Sequence, residues 1–249
     1  MNRTPWAYAP AHAWGDTVEL CPDEARHLVA VLRLRPGAMV TLFDGEGRSG
    51  PFVLAQTTKK RVLLRAHAAP TLHPRPQGLI LATAWTKGGR RGFIVEKAVE
   101  LGVQGIWFWQ ARFSQGNIPE DGPAVWLRQA VAAAKQSMTP WLPELRAFAS
   151  LPALLAAGAD RARRVLLWEK APASAGIRLA DLAAPCVVAV GPEGGLDDEE
   201  VAAFIQHGWL PRSLGSRILR AETAGVYAAA LAHYQTEKSS LPPTVQEES

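Results

Sequence analysis

The chain is short of cysteine, of lysine and of long apolar runs. Cys21 and Cys186 are its only two cysteines, far apart in 249 residues. They form no Cys-x-x-Cys pair and lack partner ligands. A disulfide framework and a thiolate zinc site are therefore both excluded, and each thiol reads as a small core residue. No metal is expected. No stretch approaches the 18 consecutive apolar residues of a transmembrane helix, so no membrane span is expected. The opening MNRTPWAYAPAHAWGD has no apolar signal core, which points to the cytoplasm. No internal repeat is visible.

What is present is close to the globular average: 48% apolar and 20% charged residues, which excludes disorder, collagen and coiled coil for the whole chain. The formal net charge is +4. The basic side is lopsided, with 20 arginines against 7 lysines. Arginine's planar fork grips phosphates and stacks on bases, whereas lysine is a hydrated point charge. This permits a nucleic-acid partner without establishing one. Nine tryptophans read mainly as core.

Two domains are expected, a small β domain over 1–74 and an α/β domain with a mostly parallel sheet over 75–249. In the first, short strands at Val18–Leu20, Ala38–Phe43, Ser49–Gln56 and Lys60–His67 suggest a compact barrel. Asp44-Gly45-Glu46-Gly47 marks a hairpin turn. A helix over Asp23–Leu34 would put Ala25, Leu28, Val31 and Leu32 on one face. Ala68–Gln77, with three prolines, reads as a linker. Net charge is +3 over 1–74 and +1 over 75–249.

Beyond the linker, strands at Leu79–Trp85, Gln104–Trp109, Arg164–Trp168 and Cys186–Val190 alternate with helices at Arg90–Leu101, Gly122–Gln136, Leu151–Ala157, Asp197–His207 and Glu222–Tyr234. The tail 235–249 is expected to be disordered. Three loops flank these elements: Trp168–Pro172, Gly191–Gly195 (GPEGG) and Leu214–Arg220 (LGSRILR). Ligands sit at the carboxyl ends of strands in open α/β sheets. GPEGG matches neither GxGxxG nor a phosphate-binding P-loop, so no dinucleotide or nucleoside triphosphate is signalled.

GPEGG followed by an acidic helix and then by LGSRILRAETA resembles the signature of the SPOUT methyltransferases. More narrowly, it resembles the bacterial 16S rRNA uridine N3-methyltransferase family. HLVAVLRLRPG and FDGEG are similar to that family's N-terminal PUA-like barrel. Lys87 with IVEKAVELGV, and AAAKQS with Pro143-Glu144, are similar to two of its catalytic-domain blocks. The resemblance spans residues 3–234. It implies a C-terminal domain tied in a deep trefoil knot, S-adenosylmethionine as cofactor, a homodimer, and uridine 1498 (rRNA numbering) of the small ribosomal subunit as substrate. After AAAKQS the family shows an arginine where this chain has Met138-Thr139; Lys135 or Arg146 could take its place.

The resemblance places Leu167, Trp168, Val190, Gly191, Glu193, Gly195, Leu214, Gly215, Ile218, Leu219, Thr223 and Ala224 at the cofactor. Small and aliphatic loop residues suit an adenine slot edged by backbone groups. Glu193 either balances the sulfonium or caps the helix that follows Gly195. Uracil N3 carries a proton, so a base or a donor to the O2/O4 anion is needed. Arg220 is the first candidate, with an ion pair to Glu222 as its alternative role. Arg112, at a strand end, is the second, and Glu222 the third. Arg3, Arg33 and Arg35, with Arg26 and His27 beside them, would contact RNA phosphates or simply form a solvated face. Two other readings stay open: a non-catalytic RNA-binding or ribosome-assembly protein, and a SPOUT enzyme acting on a ribose 2′-OH or another base.

Overall fold

The computed structural model describes residues 4–58, 61–86, 89–119 and 122–240. Arg3 and Lys87 lie outside the described residues. The chain separates into two compact units.

The first unit is Met1–Arg75 together with Ala130–Leu142, a return segment that the proline-rich stretch at 68–77 gave no sign of. Its strands are β1 (Trp6–Tyr8), β2 (Thr17–Glu19), β3 (Met39–Phe43), β4 (Arg48–Thr57), β5 (Val62–Ala66) and β6 (Thr71–Leu72). They form one sheet in the order β1-β3-β4-β5-β2, with β6 on β4. Among the described residues of this sheet only the β1–β3 pair is parallel. Alternation along β3 and β5 sends Val40, Leu42, Val62 and Leu64 into a core shared with Val18, Leu28 and Leu54. The expected linker thus contains a strand, because Thr71 and Leu72 find free ladder positions opposite Ser49 and Arg48.

The helix expected over Asp23–Leu34 is not continuous. α1 (Pro22–Arg26) passes into a π-helical turn at His27–Val31, closed by Leu32 N–H donating to the His27 carbonyl at 2.9 Å. A wider turn rotates the residues after it by about 100° relative to an α-helix. Leu28 therefore stays fully buried, while Val31 (63% exposed) and Leu32 (41%) turn outward. Arg33 comes next, in the left-handed region at φ 55°.

At the hairpin after β3, Asp44 Oδ1 accepts the backbone N–H groups of Glu46 and Arg48. Gly47 sits at φ 96° with the Trp141 ring where a Cβ would be. No other residue fits both constraints.

The second unit is Pro76–Gln129 with Pro143–Ser249. Its strands are β7 (Leu79–Ala84), β8 (Gly105–Trp109), β9 (Glu144–Phe148), β10 (Arg163–Leu167), β11 (Cys186–Val190) and β12 (Leu210–Arg212). The order is β12-β10-β11-β7-β8-β9, and every pairing is parallel. The helices are α2 (Arg90–Glu100), α3 (Gly122–Ser137, which leaves this unit at Ala130), α4 (Leu151–Gly158), α5 (Asp198–Gln206) and α6 (Ala221–Ser240). β7, β8 and β11 are buried at every position, as expected for a parallel sheet covered on both faces.

Most tryptophans are core. Trp107 and Trp109 are wholly buried, and Trp109, Phe204 and Trp209 form a run of edge-to-face contacts. β9 and β12 were not anticipated: β12 is three residues long with a central proline, and β9 is mostly exposed, so neither shows an apolar run. Residues 235–240, expected to be disordered, continue α6.

Candidate functional site

The register of the parallel strands builds the site. Leu167, the last residue of β10, pairs with Val190, the last of β11, and with Arg212, the last of β12. The three following loops therefore leave the sheet at one level and on one side. They enclose a cavity of about 430 Å³. Such a crevice at the carboxyl ends of strands is the usual ligand position in open parallel sheets.

The cavity gathers most of the residues proposed for it. Leu167 and Trp168 line it from the first loop; Val190, Gly191, Glu193 and Gly195 from the second; Leu214, Gly215, Ile218, Leu219 and Arg220 from the third. Ala224 closes it from α6. Thr223 is exposed and does not line it, because Ala221 and Ala224, three apart, occupy the inward face of the helix.

Backbone groups dominate the third loop. Ser213 Oγ holds the turn by accepting Gly215 N–H at 3.2 Å. The N–H groups of Ser216, Arg217, Ile218 and Leu219 make no hydrogen bond with another described residue. Ile218 is 87% exposed although apolar. At Gly195, φ 77° excludes most side chains, and a Cβ would meet Glu169 Oε1 at 3.3 Å.

The charged residues sort differently from expectation. Glu193 does not cap the helix after Gly195. Asp197 does: its Oδ1 accepts Glu200 N–H at 2.7 Å while Glu200 Oε2 accepts Asp197 N–H at 3.2 Å. Glu193 instead ion-pairs with Arg90. Glu222 also goes to Arg90, with Nε–Oε1 at 3.5 Å. Arg220 lines the cavity, is exposed, and has no ion pair among the described residues. Sequence reasoning missed Arg90. The available signal was a cation in the first turn of a helix, where the positive end of the dipole disfavours it unless carboxylates lie opposite.

Arg112 does not line the cavity. Its Nη1 pairs with Asp197 Oδ2 at 2.7 Å and Glu199 Oε2 at 3.6 Å, because four acidic residues at the start of α5 attract it. The hydrogen bond to Asp197 raises its pKa above the ordinary arginine value. The Glu200 backbone N–H, then Arg112, hold Asp197 below the usual carboxylate range. Lys135 is committed to Glu24. Arg146 lies over the Phe148 ring at 4.7 Å and the Trp107 ring at 5.2 Å.

Under the cavity, Arg212 Nε donates to Asp181 Oδ2 at 2.8 Å. Burial works to raise the Asp181 pKa, but hydrogen bonds from Arg212 and the Arg178 N–H outweigh it, and the net shift is downward. A carboxyl with a lowered folded pKa stabilises above its unfolded value, near 3.8, and that contribution is lost as pH falls below it. Asp181→Asn is expected to lower the melting temperature at pH 7, and the gap between the two melting temperatures should narrow progressively as pH falls below the ordinary carboxylate value. Calorimetry across that range checks this; a constant gap between them would contradict it.

Among the described residues no helix is long and apolar enough to cross a membrane. Nor does any group of three or more His, Cys, Asp or Glu side chains there form a potential metal site.

Comparison with known proteins matches this geometry to a family. Residues 73–233 match an RNA methyltransferase domain, and residues 20–66 an RNA methyltransferase PUA domain. Ribosomal RNA small subunit methyltransferase E of Mycobacterium tuberculosis is 32% identical over 227 residues, covering 83% of this chain and 82% of its own. The Bacillus subtilis protein of that name is 27% identical, covering 89% and 91%. Among solved structures, a Legionella pneumophila methyltransferase with bound S-adenosylmethionine superposes with a TM-score of 0.81 at 31% identity, over 95% of this chain and 98% of that one. A ribosomal RNA small subunit methyltransferase E from Neisseria gonorrhoeae, also bound to S-adenosylmethionine, gives 0.80 at 28%, over 94% and 98%. With a family model matching residues 73–233 and a 32% identical relative covered over 82% of its own length, this chain belongs to the ribosomal RNA small subunit methyltransferase E family.

Proposed function

We propose that this protein transfers a methyl group from S-adenosylmethionine to N3 of uridine 1498 in 16S rRNA, acting in the cytoplasm as a homodimer on the small ribosomal subunit. The observation that carries the reading is the in-register exit of three loops around one cavity in a chain of this family. In this reading residues 1–74 are the PUA-like RNA-binding barrel and residues 75–249 the knotted catalytic domain. Phe93 on α2 and Tyr227 and Tyr234 on α6, all exposed on helices that pack together, would meet the second copy.

The cavity suits the cofactor. Its volume is in the range of small-molecule sites. Leu167, Val190, Leu214, Ile218 and Leu219 offer apolar surface to an adenine, and the amides of 216–219 offer donors to its edge and to the ribose. Gly191, Gly195 and Gly215 keep the backbone close. When bound, S-adenosylmethionine supplies an electrophilic methyl group. The chain's own residues handle the nucleobase. The N3–H bond breaks as the N3–C bond forms, so one proton must leave for a base and negative charge develops over O2 and O4. Arg220 lines the cavity and is the donor for that charge. Glu222, in the first turn of α6, is the acceptor candidate. Arg112, held by Asp197, remains a candidate for the RNA side.

Mass spectrometry of 16S rRNA from cells with and without the gene tests the reading. Methylation at uridine N3 should vanish on deletion and return with the gene. Loss at another nucleotide would favour a different SPOUT specificity, and no cofactor binding in calorimetry would favour the non-catalytic reading.

In the first unit, Arg33 and Arg35 are exposed and form no ion pair among the described residues. They are assigned to RNA phosphates, as is Arg3. The double variant Arg33→Glu/Arg35→Glu is expected to weaken RNA binding ~10-fold and to reduce the slope of log affinity against log salt by about 2. An unchanged affinity and slope would remove these residues from the interface.

A further inference from the structure

Arg90 lies in the first turn of α2, an unfavourable place for a cation. It is nevertheless held by two carboxylates from different elements: Glu193 of the GPEGG loop, and Glu222 of the first turn of α6 at 3.5 Å. Both acids are sheltered, with side chains 23% and 13% exposed. Glu193 lines the cavity, and Glu222 directly follows Arg220 and Ala221, which also line it. A residue of the cavity lining and a residue next to that lining at the start of α6 therefore share a single guanidinium.

We propose that Arg90 is a positioning residue that ties the GPEGG wall to the start of α6 and so sets the width of the cavity. The proposal rests on the reading of that cavity as the S-adenosylmethionine site. The only backbone hydrogen bond inside the loop from 191 to 195, among the described residues, is Gly195 N–H to the Pro192 carbonyl at 2.9 Å. Its side-chain anchor is Arg90. Without the guanidinium, two neighbouring sheltered carboxylates would be left with their mutual repulsion. The two segments would part, loosening the cofactor through Glu193 and displacing Arg220 through the α6 turn. A lysine keeps the charge but not the fork that reaches two acids at once, so it should restore only part of the effect.

The test compares the full-length protein with Arg90→Ala, Arg90→Lys, Glu193→Gln and the double variant Arg90→Ala/Glu193→Gln. Amide hydrogen exchange without cofactor reads the tether itself: Arg90→Ala should speed exchange at 191–196 and in the first turn of α6, with the sheet unchanged. Calorimetry with S-adenosylmethionine should show ~10-fold weaker binding for Arg90→Ala, recovered to within ~3-fold by Arg90→Lys. The double variant should bind no worse than Arg90→Ala alone, because the Arg90–Glu193 pair is already lost and Glu193→Gln removes the carboxylate repulsion. Methyl-transfer kinetics should show KM for the cofactor raised and kcat also reduced. Unaltered exchange in both segments, equal losses for the lysine and alanine variants, or additive losses in the double variant would each overturn the proposal. A wild-type protein that binds no S-adenosylmethionine but shows the exchange effect would overturn the cofactor reading and leave the tether standing.

Discussion

Arg220→Ala is expected to lower the rate of methyl transfer at least ~100-fold while leaving cofactor affinity within a few-fold and the melting temperature nearly unchanged. The magnitude is that of removing one preorganised donor from a developing oxyanion. The position supports a large effect. Arg220 lines the cavity, has no ion pair among the described residues, and its side chain is not needed to start α6, which is anchored by its backbone carbonyl accepting Ala224 N–H at 2.9 Å. The alternative partner, Glu222, is engaged by Arg90. Arg220→Lys should retain partial activity, since a point charge stabilises the anion without the fork. Methyl incorporation into isolated small subunits, measured at saturating cofactor, checks this. Undiminished turnover in the alanine variant would remove Arg220 from the chemistry and shift attention to Arg217, which lines the same cavity.

Much of this site was legible in the sequence because it depends on local rules. CVVAV can only be a buried strand, GPEGG can only be the turn after it, and parallel strands must deliver their loops to one end. What was not legible depends on partners distant in sequence. Glu193 had two readings, balancing the sulfonium or capping the acidic helix; Asp197 and Glu200 satisfy that terminus reciprocally, and Glu193 meets Arg90. The partners of Arg112 were not readable from its place at a strand end, since the acids that make α5 a good helix bind it from across the sequence. Val31 and Leu32 had the spacing of a buried face, and one π turn rotated them out. β12 carries the third loop of the site on three residues with a proline at the centre, too short for periodicity to register.

The same limit applies to Lys135, whose block AAAKQS resembled the family without revealing a structural role, and it leads to the largest expected stability effect. Lys135 Nζ lies 2.6 Å from Glu24 Oε1, with side chains 16% and 7% exposed. Glu24 Oε2 accepts the Tyr8 N–H at 3.0 Å. One carboxylate thus joins α1, β1 and the return segment of the first unit. Glu24→Ala would strand a sheltered ammonium and an amide together, at a cost of roughly 3 kcal/mol, or about 6–12 °C in melting temperature for a chain of this length. Lys135→Met should cost less, because Glu24 keeps the Tyr8 bond and can recruit water. The double variant Glu24→Leu/Lys135→Met should recover much of the loss, since a buried pair often contributes little net stability while a buried lone charge costs a great deal. Thermal melts of the three variants decide it. Additive losses, or a Glu24→Ala protein within about 1 °C of wild type, would mean that water already solvates the pair and that the return segment is held by Trp141 against Gly47 instead.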